Sequence, residues 1–76
     1  MRVLNMGDRG NDVIYLQSLL NKEGSELDLD GVFGALTETA VESFQLKTGL
    51  DIDGVVGRFT WESLQDKQYQ LKKSCT

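Results

Sequence analysis

Apolar residues early in the chain fall at Val13, Leu16 and Leu20, the i, i+3, i+7 spacing of one helix face, and Ile14 and Leu19 widen that stripe. Asp8-Arg9-Gly10-Asn11 in front offers helix-start residues, and Gly24-Ser25 behind ends the pattern at a glycine suited to a left-handed cap. The spacing predicts a helix from about Asn11 to Lys22. A second inward stripe, Ala40, Val41 and Phe44, predicts a helix capped by Thr37 and running to about Lys47, where Thr48-Gly49 stops it. Trp61 and Leu64 open a third helix behind a Thr60 cap. Leu71 continues its stripe across the polar interruption at Gln68, so residues 66–76 are expected to form a partial helical extension or a linker tail. The short apolar pieces Val3-Leu4, Val32-Phe33 and Val55-Val56 can add scraps of extended chain, but no alternating pattern supports a sheet. The expected fold class is all-α: a small three-helix bundle in residues 1–65, followed by the 66–76 tail.

The two connections between these helices are written alike. Leu27-Asp28-Leu29-Asp30-Gly31-Val32-Phe33-Gly34-Ala35-Leu36-Thr37 returns 23 residues later as Leu50-Asp51-Ile52-Asp53-Gly54-Val55-Val56-Gly57-Arg58-Phe59-Thr60, with seven of the eleven positions identical. Such self-similarity marks one structural unit used twice. Each copy holds a turn dipeptide, Asp30-Gly31 or Asp53-Gly54, in which aspartate bonds to nearby backbone and glycine takes positive φ without a steric penalty. Gly34 and Gly57 give a second permissive point three residues on. The bundle is thus expected to carry two Asp-Gly-x-x-Gly loops of one design, with its surface chemistry on them.

Size and charge narrow the field. A chain of 76 residues buries only about 60% of the surface its unfolded form exposes, leaving one modest core and little room for a deep catalytic cavity. No apolar run approaches the roughly 20 residues of a membrane span. Eight Lys and Arg stand against twelve Asp and Glu, a net charge of −4 that argues against nucleic-acid binding. The only basic cluster, Lys67, Lys72 and Lys73, lies in the tail and reads as a solvated end. Cys75 is the sole cysteine, so it has no intrachain disulfide partner; with no histidine in the chain it also lacks the base a nucleophile needs.

The ordered residues Gly10-x-x-Val13-x-x-Leu16-Gln17-x-x-Leu20, Asp30-Gly31-x-Phe33-Gly34-x-x-Thr37, Ala40-Val41-x-x-Phe44-Gln45, Gly49-Leu50 and Asp53-Gly54-x-Val56-Gly57-x-x-Thr60-Trp61-x-x-Leu64 resemble the type 1 peptidoglycan-binding domain. The match covers about residues 7–65. A lone Asp-Gly turn is weak evidence; the whole ordered set, with its Leu/Phe-Gln pairs and closing Thr-Trp, is specific. The resemblance implies a non-catalytic, three-helix module that binds peptidoglycan and is covalently linked to a wall hydrolase, transpeptidase or phage endolysin. It implies no cofactor and no metal. Met1-Arg2-Val3-Leu4-Asn5-Met6-Gly7-Asp8 turns polar too soon for a secretory signal. The expectation is therefore the amino-terminal module of a phage endolysin, with its catalytic domain after Lys72-Lys73, reaching the bacterial wall or periplasm by release from the cytoplasm. It is expected to act as a monomer, with no membrane or nucleic-acid partner.

Gripping peptidoglycan calls for backbone or amide donors, an aromatic face for a sugar or lactyl methyl, and a cation for a stem-peptide carboxylate. The candidate ligand-binding residues are Asp30, Gly31, Phe33, Gly34 and Thr37 in the first copy, and Asp53, Gly54, Gly57, Arg58, Thr60 and Trp61 in and after the second. Each also has a purely structural explanation. The Asp-Gly pairs are first of all turns and the threonines first of all caps, while Phe44 and Trp61 lie at core-facing positions. Phe33 and Phe59 are less periodic, and one of them can line a groove beside a loop. Gln17 and Gln45 sit beside the core stripe and are expected to bond the loops internally, because partly buried amides usually find protein partners. Arg58 is the only basic side chain in either loop and can fork onto a carboxylate.

Two rivals come from other classes. Asp28-x-Asp30-Gly31 and Asp51-x-Asp53-Gly54 imitate part of a calcium loop, and the paired copies are similar to dockerin interaction modules. With Gly31 or Gly54 at the sixth loop position, however, the twelfth falls on Thr37 or Thr60, where calcium wants a bidentate acid. A glycosidase would need a carboxyl buried enough to raise its pKa, and no acidic residue lies on an apolar stripe.

Overall fold

The computed structural model describes residues 2–65; the expected tail, with its basic cluster and Cys75, lies outside the described residues. Helices α1 (Asn11–Lys22) and α2 (Ala35–Thr48) are followed by a third, α3, over residues 58–65. The buried face of α1 is Val13, Leu16, Gln17, Leu19 and Leu20, and that of α2 is Thr37, Ala40, Val41, Phe44 and Gln45. Both follow the apolar spacing, except that Ile14, expected to widen the first stripe, is exposed. Trp61 and Leu64 of α3, Phe33 and Val56 from the loops, and Leu4 near the start complete one core. Leu4, Val13, Leu16, Leu20, Val41 and Val56 are wholly out of solvent. Burying an aliphatic side chain of this kind stabilises by about 1.5–3 kcal/mol, so this cluster is what orients the loops.

The extended pieces form only isolated antiparallel bridges, Leu4 with Val56 and Arg9 with Val32. They matter because they carry the N-terminal segment across both loops. Leu4 and Val56 exchange both backbone bonds, at 3.1 and 2.8 Å. Further along, Gly7 N–H donates to Phe33 O (2.9 Å), Phe33 N–H to Asp8 O (2.9 Å) and Gly10 N–H to Gly31 O (3.0 Å). Arg2 holds the segment to α1 through an ion pair with Asp12 (2.8 Å), and its carbonyl accepts the Trp61 indole N–H (2.9 Å). The Trp61 ring stacks on Tyr15, with centroids 6.0 Å apart and planes at 15°.

Helix starts differ from expectation. The second and third helices begin at Ala35 and residue 58, two residues ahead of Thr37 and Thr60, with Gly34 as the N-cap of α2 and no side-chain cap bond. The threonines therefore occupy the third helical position and turn inward; both are buried. Helix ends follow expectation: Gly49 takes the left-handed cap (φ 78°) and Leu50 N–H reaches back to Gln45 O at 2.9 Å.

Candidate ligand-binding cleft

Each Asp-Gly loop is held from inside by one glutamine. Gln17 Nε2 donates to Asp30 Oδ1 (3.0 Å), Val32 O (3.1 Å) and Thr37 Oγ1 (3.2 Å), while its Oε1 accepts the Gly31 N–H (3.1 Å). Gln45 makes the same set with Asp53 Oδ1 (2.9 Å), Val55 O (2.9 Å), Thr60 Oγ1 (3.2 Å) and Gly54 N–H (3.1 Å). Among the described residues no buried side-chain nitrogen or oxygen lacks a partner. A buried amide serving four groups is worth more as a unit than any single bond, because removing it strands several polar atoms at once.

The aspartates close their own turns: Asp30 Oδ1 accepts Val32 N–H (3.0 Å) and Asp53 Oδ1 accepts Val55 N–H (2.9 Å). These backbone donors, helped by the glutamine amides, hold both carboxyls below the usual carboxylate range. Gly31 and Gly54 sit at φ 73° and 71°, a region that side chains with a Cβ resist. Gly34 and Gly57 differ from the expected second permissive points, since neither has positive φ. At both, nothing lies within 4 Å of where a Cβ would be, so open space rather than backbone strain surrounds them.

The expected site residues are thus divided. Thr37 and Thr60 are spent on the glutamines, and Phe33, only 1% exposed, is in the core. Phe33 is drawn in because its segment is pinned on both sides by Gly7 and Asp8, which points the ring at the bundle. Trp61 is 4% exposed, with its indole N–H already bonded, which leaves it little surface to offer. What the structure does bring together lies around the second loop. A cleft of about 300 Å³ is lined by Gln45, Gly49, Leu50, Asp51, Asp53, Val55, Gly57, Arg58, Phe59 and Thr60. Asp30, Gly31 and Gly34 lie in the other loop and take no part in it.

Phe59 is the aromatic that lines the cleft, and it is 72% exposed. Its counterpart in the first copy, Leu36, is also exposed, so both copies place an apolar residue off the inward stripe at the same point. That coincidence is the sequence signal for Phe59. Asp51, Leu50 and Gly49 carry no comparable signal, since only the fold brings the end of α2 beside the start of α3. The Arg58 side chain is 84% exposed and meets Glu62 at 3.2 Å through Nε. Among the described residues no three acidic, cysteine or histidine groups come together as a metal site, and one carboxylate oxygen each of Asp30 and Asp53, Oδ1, serves its own turn.

Comparison with known proteins gives a consistent picture. A family model described as "Putative peptidoglycan binding domain" matches residues 9–64. The spore cortex-lytic enzyme of Bacillus cereus is 44% identical over 64 residues, 83% of this chain and 25% of the enzyme. Among solved structures, the SleB N-terminal domain superposes with a TM-score of 0.84 at 42% identity, over 87% of this chain and 92% of that domain. The Burkholderia AP3 phage endolysin superposes with a TM-score of 0.82 at 46% identity, over 83% of this chain and 24% of the endolysin. The chain spans less than two thirds of the curated relatives it matches, 62% of a Kitasatospora aureofaciens protein and 25% of the Bacillus cereus enzyme.

Proposed function

This chain belongs to the peptidoglycan-binding domain family, and on that premise we propose that it grips the bacterial wall through the second-loop cleft and anchors a wall-degrading catalytic domain. The observation that carries the reading is the convergence of Gly57, Arg58, Phe59 and Asp53 on one open cleft. An exposed ring can lie against a sugar or lactyl methyl, a guanidinium can fork onto a carboxylate, and a glycine lets ligand approach the backbone. The chain itself performs no chemistry in this reading. A shallow cleft binds weakly, and weak binding is enough when its role is to raise the local concentration of a linked enzyme.

The parent is proposed to be a phage endolysin, and the module to work as a monomer at the wall or in the periplasm without membrane or nucleic-acid partners. Among the described residues no helix is long and apolar enough to cross a membrane. Co-sedimentation with purified, protein-free sacculi tests the reading. The 76-residue chain is expected to pellet with sacculi without clearing them, and Phe59→Ala to shift it toward the supernatant with its melting temperature within about 2 °C of wild type. Equal pelleting by wild type and variant would move the site away from this cleft. Wild type left wholly in the supernatant would end the wall-binding proposal.

A further inference from the structure

The second-loop cleft presents charge of both signs. Arg58, Asp51 and Asp53 are all among the residues that line it. Glu62 engages Arg58 through Nε, which leaves the two terminal guanidinium nitrogens for an end-on, two-bond grip on a carboxylate. Val55 N–H and Gln45 both bond Oδ1 of Asp53, leaving Oδ2 to a ligand. A volume of about 300 Å³ is at the small end of ligand clefts, which run roughly 300–1,000 Å³, and suits one residue's head group better than a run of sugar rings.

We propose that this cleft recognises a wall-peptide residue bearing a free carboxylate and a free ammonium together, with Arg58 taking the first and Asp51 and Asp53 the second. The inference rests on the wall-binding reading above and names the part of the wall that is read. Overall charge favours the same answer. A protein at −4 repels a purely anionic ligand, whereas a residue with both poles matched brings no net charge to it. Phe59, exposed beside the cleft, offers a face to the methylene chain separating such a residue's polar ends from its peptide. The first loop supplies the internal control. It keeps Asp28 and Asp30, but Ala35 and Leu36 stand where the second has Arg58 and Phe59, so it has the anions without the cation or the ring.

Nuclear magnetic resonance titration of the full chain with three synthetic muramyl peptides tests this. They are identical except at one diamino acid, which carries a free ammonium and carboxylate, an amidated carboxylate, or an acetylated amine. The unmodified peptide is expected to shift the amides of Asp51, Gly57 and Arg58, with amidation and acetylation each weakening binding about five- to tenfold. Arg58→Gln is expected to abolish the discrimination against the amide alone, and Asp51→Asn to reduce the discrimination against the acetylated peptide alone. Equal binding of all three peptides overturns the proposal, as does sensitivity to amidation without sensitivity to acetylation, which would mean a plain carboxylate site. No binding of any peptide while sacculi still pellet the protein also overturns it and leaves wall binding standing. Only loss of sacculus binding by wild type removes both.

Discussion

The first loop, residues 23–34, and the second, residues 49–57, hang from equivalent glutamines but sit in different surroundings. The first is longer and laced on both sides. Asn21 grips Leu27 with two bonds, at 2.9 and 2.8 Å, and the N-terminal segment covers the turn through Gly10, Asp8 and Gly7. Among the described residues, the second loop's backbone bonds to that segment are those of the Val56–Leu4 pair. Its outer side is left open, and the cleft lies there, flanked by Arg58 and Phe59. A hydrogen-bond lock confined to the inner side of a loop fixes the backbone without using its outer face. One design can then be covered over for stability in one place and left bare for ligand in another.

The largest expected effects come from removing the locks. Gln45→Ala leaves the Gly54 N–H and the buried Thr60 hydroxyl without partners and is expected to lower stability by about 2–3 kcal/mol in denaturant melts, with a similar loss for Gln17→Ala. Amide exchange should separate the two. Gln45→Ala should leave one amide of residues 53–57 protected, that of Val56 by its bond to Leu4, whereas Gln17→Ala should leave the first loop tied to the N-terminal segment by three protected amides, those of Phe33, Gly7 and Gly10. If both loops open alike, the N-terminal segment is not what distinguishes them.

Smaller effects are expected at the two left-handed glycines, and here the surroundings decide the order. A Cβ on Gly31 would lie 3.2 Å from Gly10 O and 3.1 Å from Ile14 Cγ1, and the carbonyl belongs to backbone that is itself pinned. On Gly54 it would lie 3.1 Å from Glu38 Cγ, part of a flexible side chain that can swing away. Gly31→Ala is expected to cost about 2 kcal/mol and Gly54→Ala about 1 kcal/mol, the residual term in the second being the positive φ alone. Glu38→Ala placed beneath Gly54→Ala should therefore change that cost by less than about 0.5 kcal/mol. The reverse order in thermal melts would show that the first loop is the more yielding of the two.

Much of this was legible in one dimension. The stripes Val13/Leu16/Leu20 and Ala40/Val41/Phe44 specify two helices and their inner faces, and the glutamines beside them point to internal amide locks, because an amide on a core edge needs partners. Thr37 and Thr60 were the ambiguous residues. A threonine near a helix start serves equally as a cap or as an inward acceptor at the third position, and only the position of the glutamine settles which. Phe33 and Phe59 could not be ranked from periodicity, since both fall where it is interrupted. The N-terminal segment, residues 2–10, has no repeating pattern to read, yet its backbone bonds decide which loop is covered. The cleft is a tertiary product of two helix ends meeting, and residues such as Asp51 join it only through that meeting.

The smallest expected effect concerns acid, and it tests whether the two locks are electrostatically equal. In both loops a backbone N–H two residues on, followed by the glutamine amide, lowers the aspartate's pKa in the folded chain. A carboxyl whose folded value lies below its unfolded value stabilises the fold above the ordinary carboxylate range, near pH 4. That contribution fades as pH falls through the depressed folded value and the carboxylate protonates. Both aspartates are exposed, so solvent screens the effect, and it should appear as a slope rather than a collapse. Melting temperatures followed from about pH 6 down to about pH 2 should fall more steeply for wild type than for Asp30→Asn or Asp53→Asn, since asparagine keeps the Oδ1 acceptor but loses the charge. The curves should converge at the acid end. Because each carboxylate is stabilised by its own turn and its own glutamine, and not by the covering segment, the two variants should flatten the slope equally. Flattening at Asp53 but not at Asp30 would mean that the covering of the first loop reaches its electrostatics, and the locks would then differ in kind as well as in exposure.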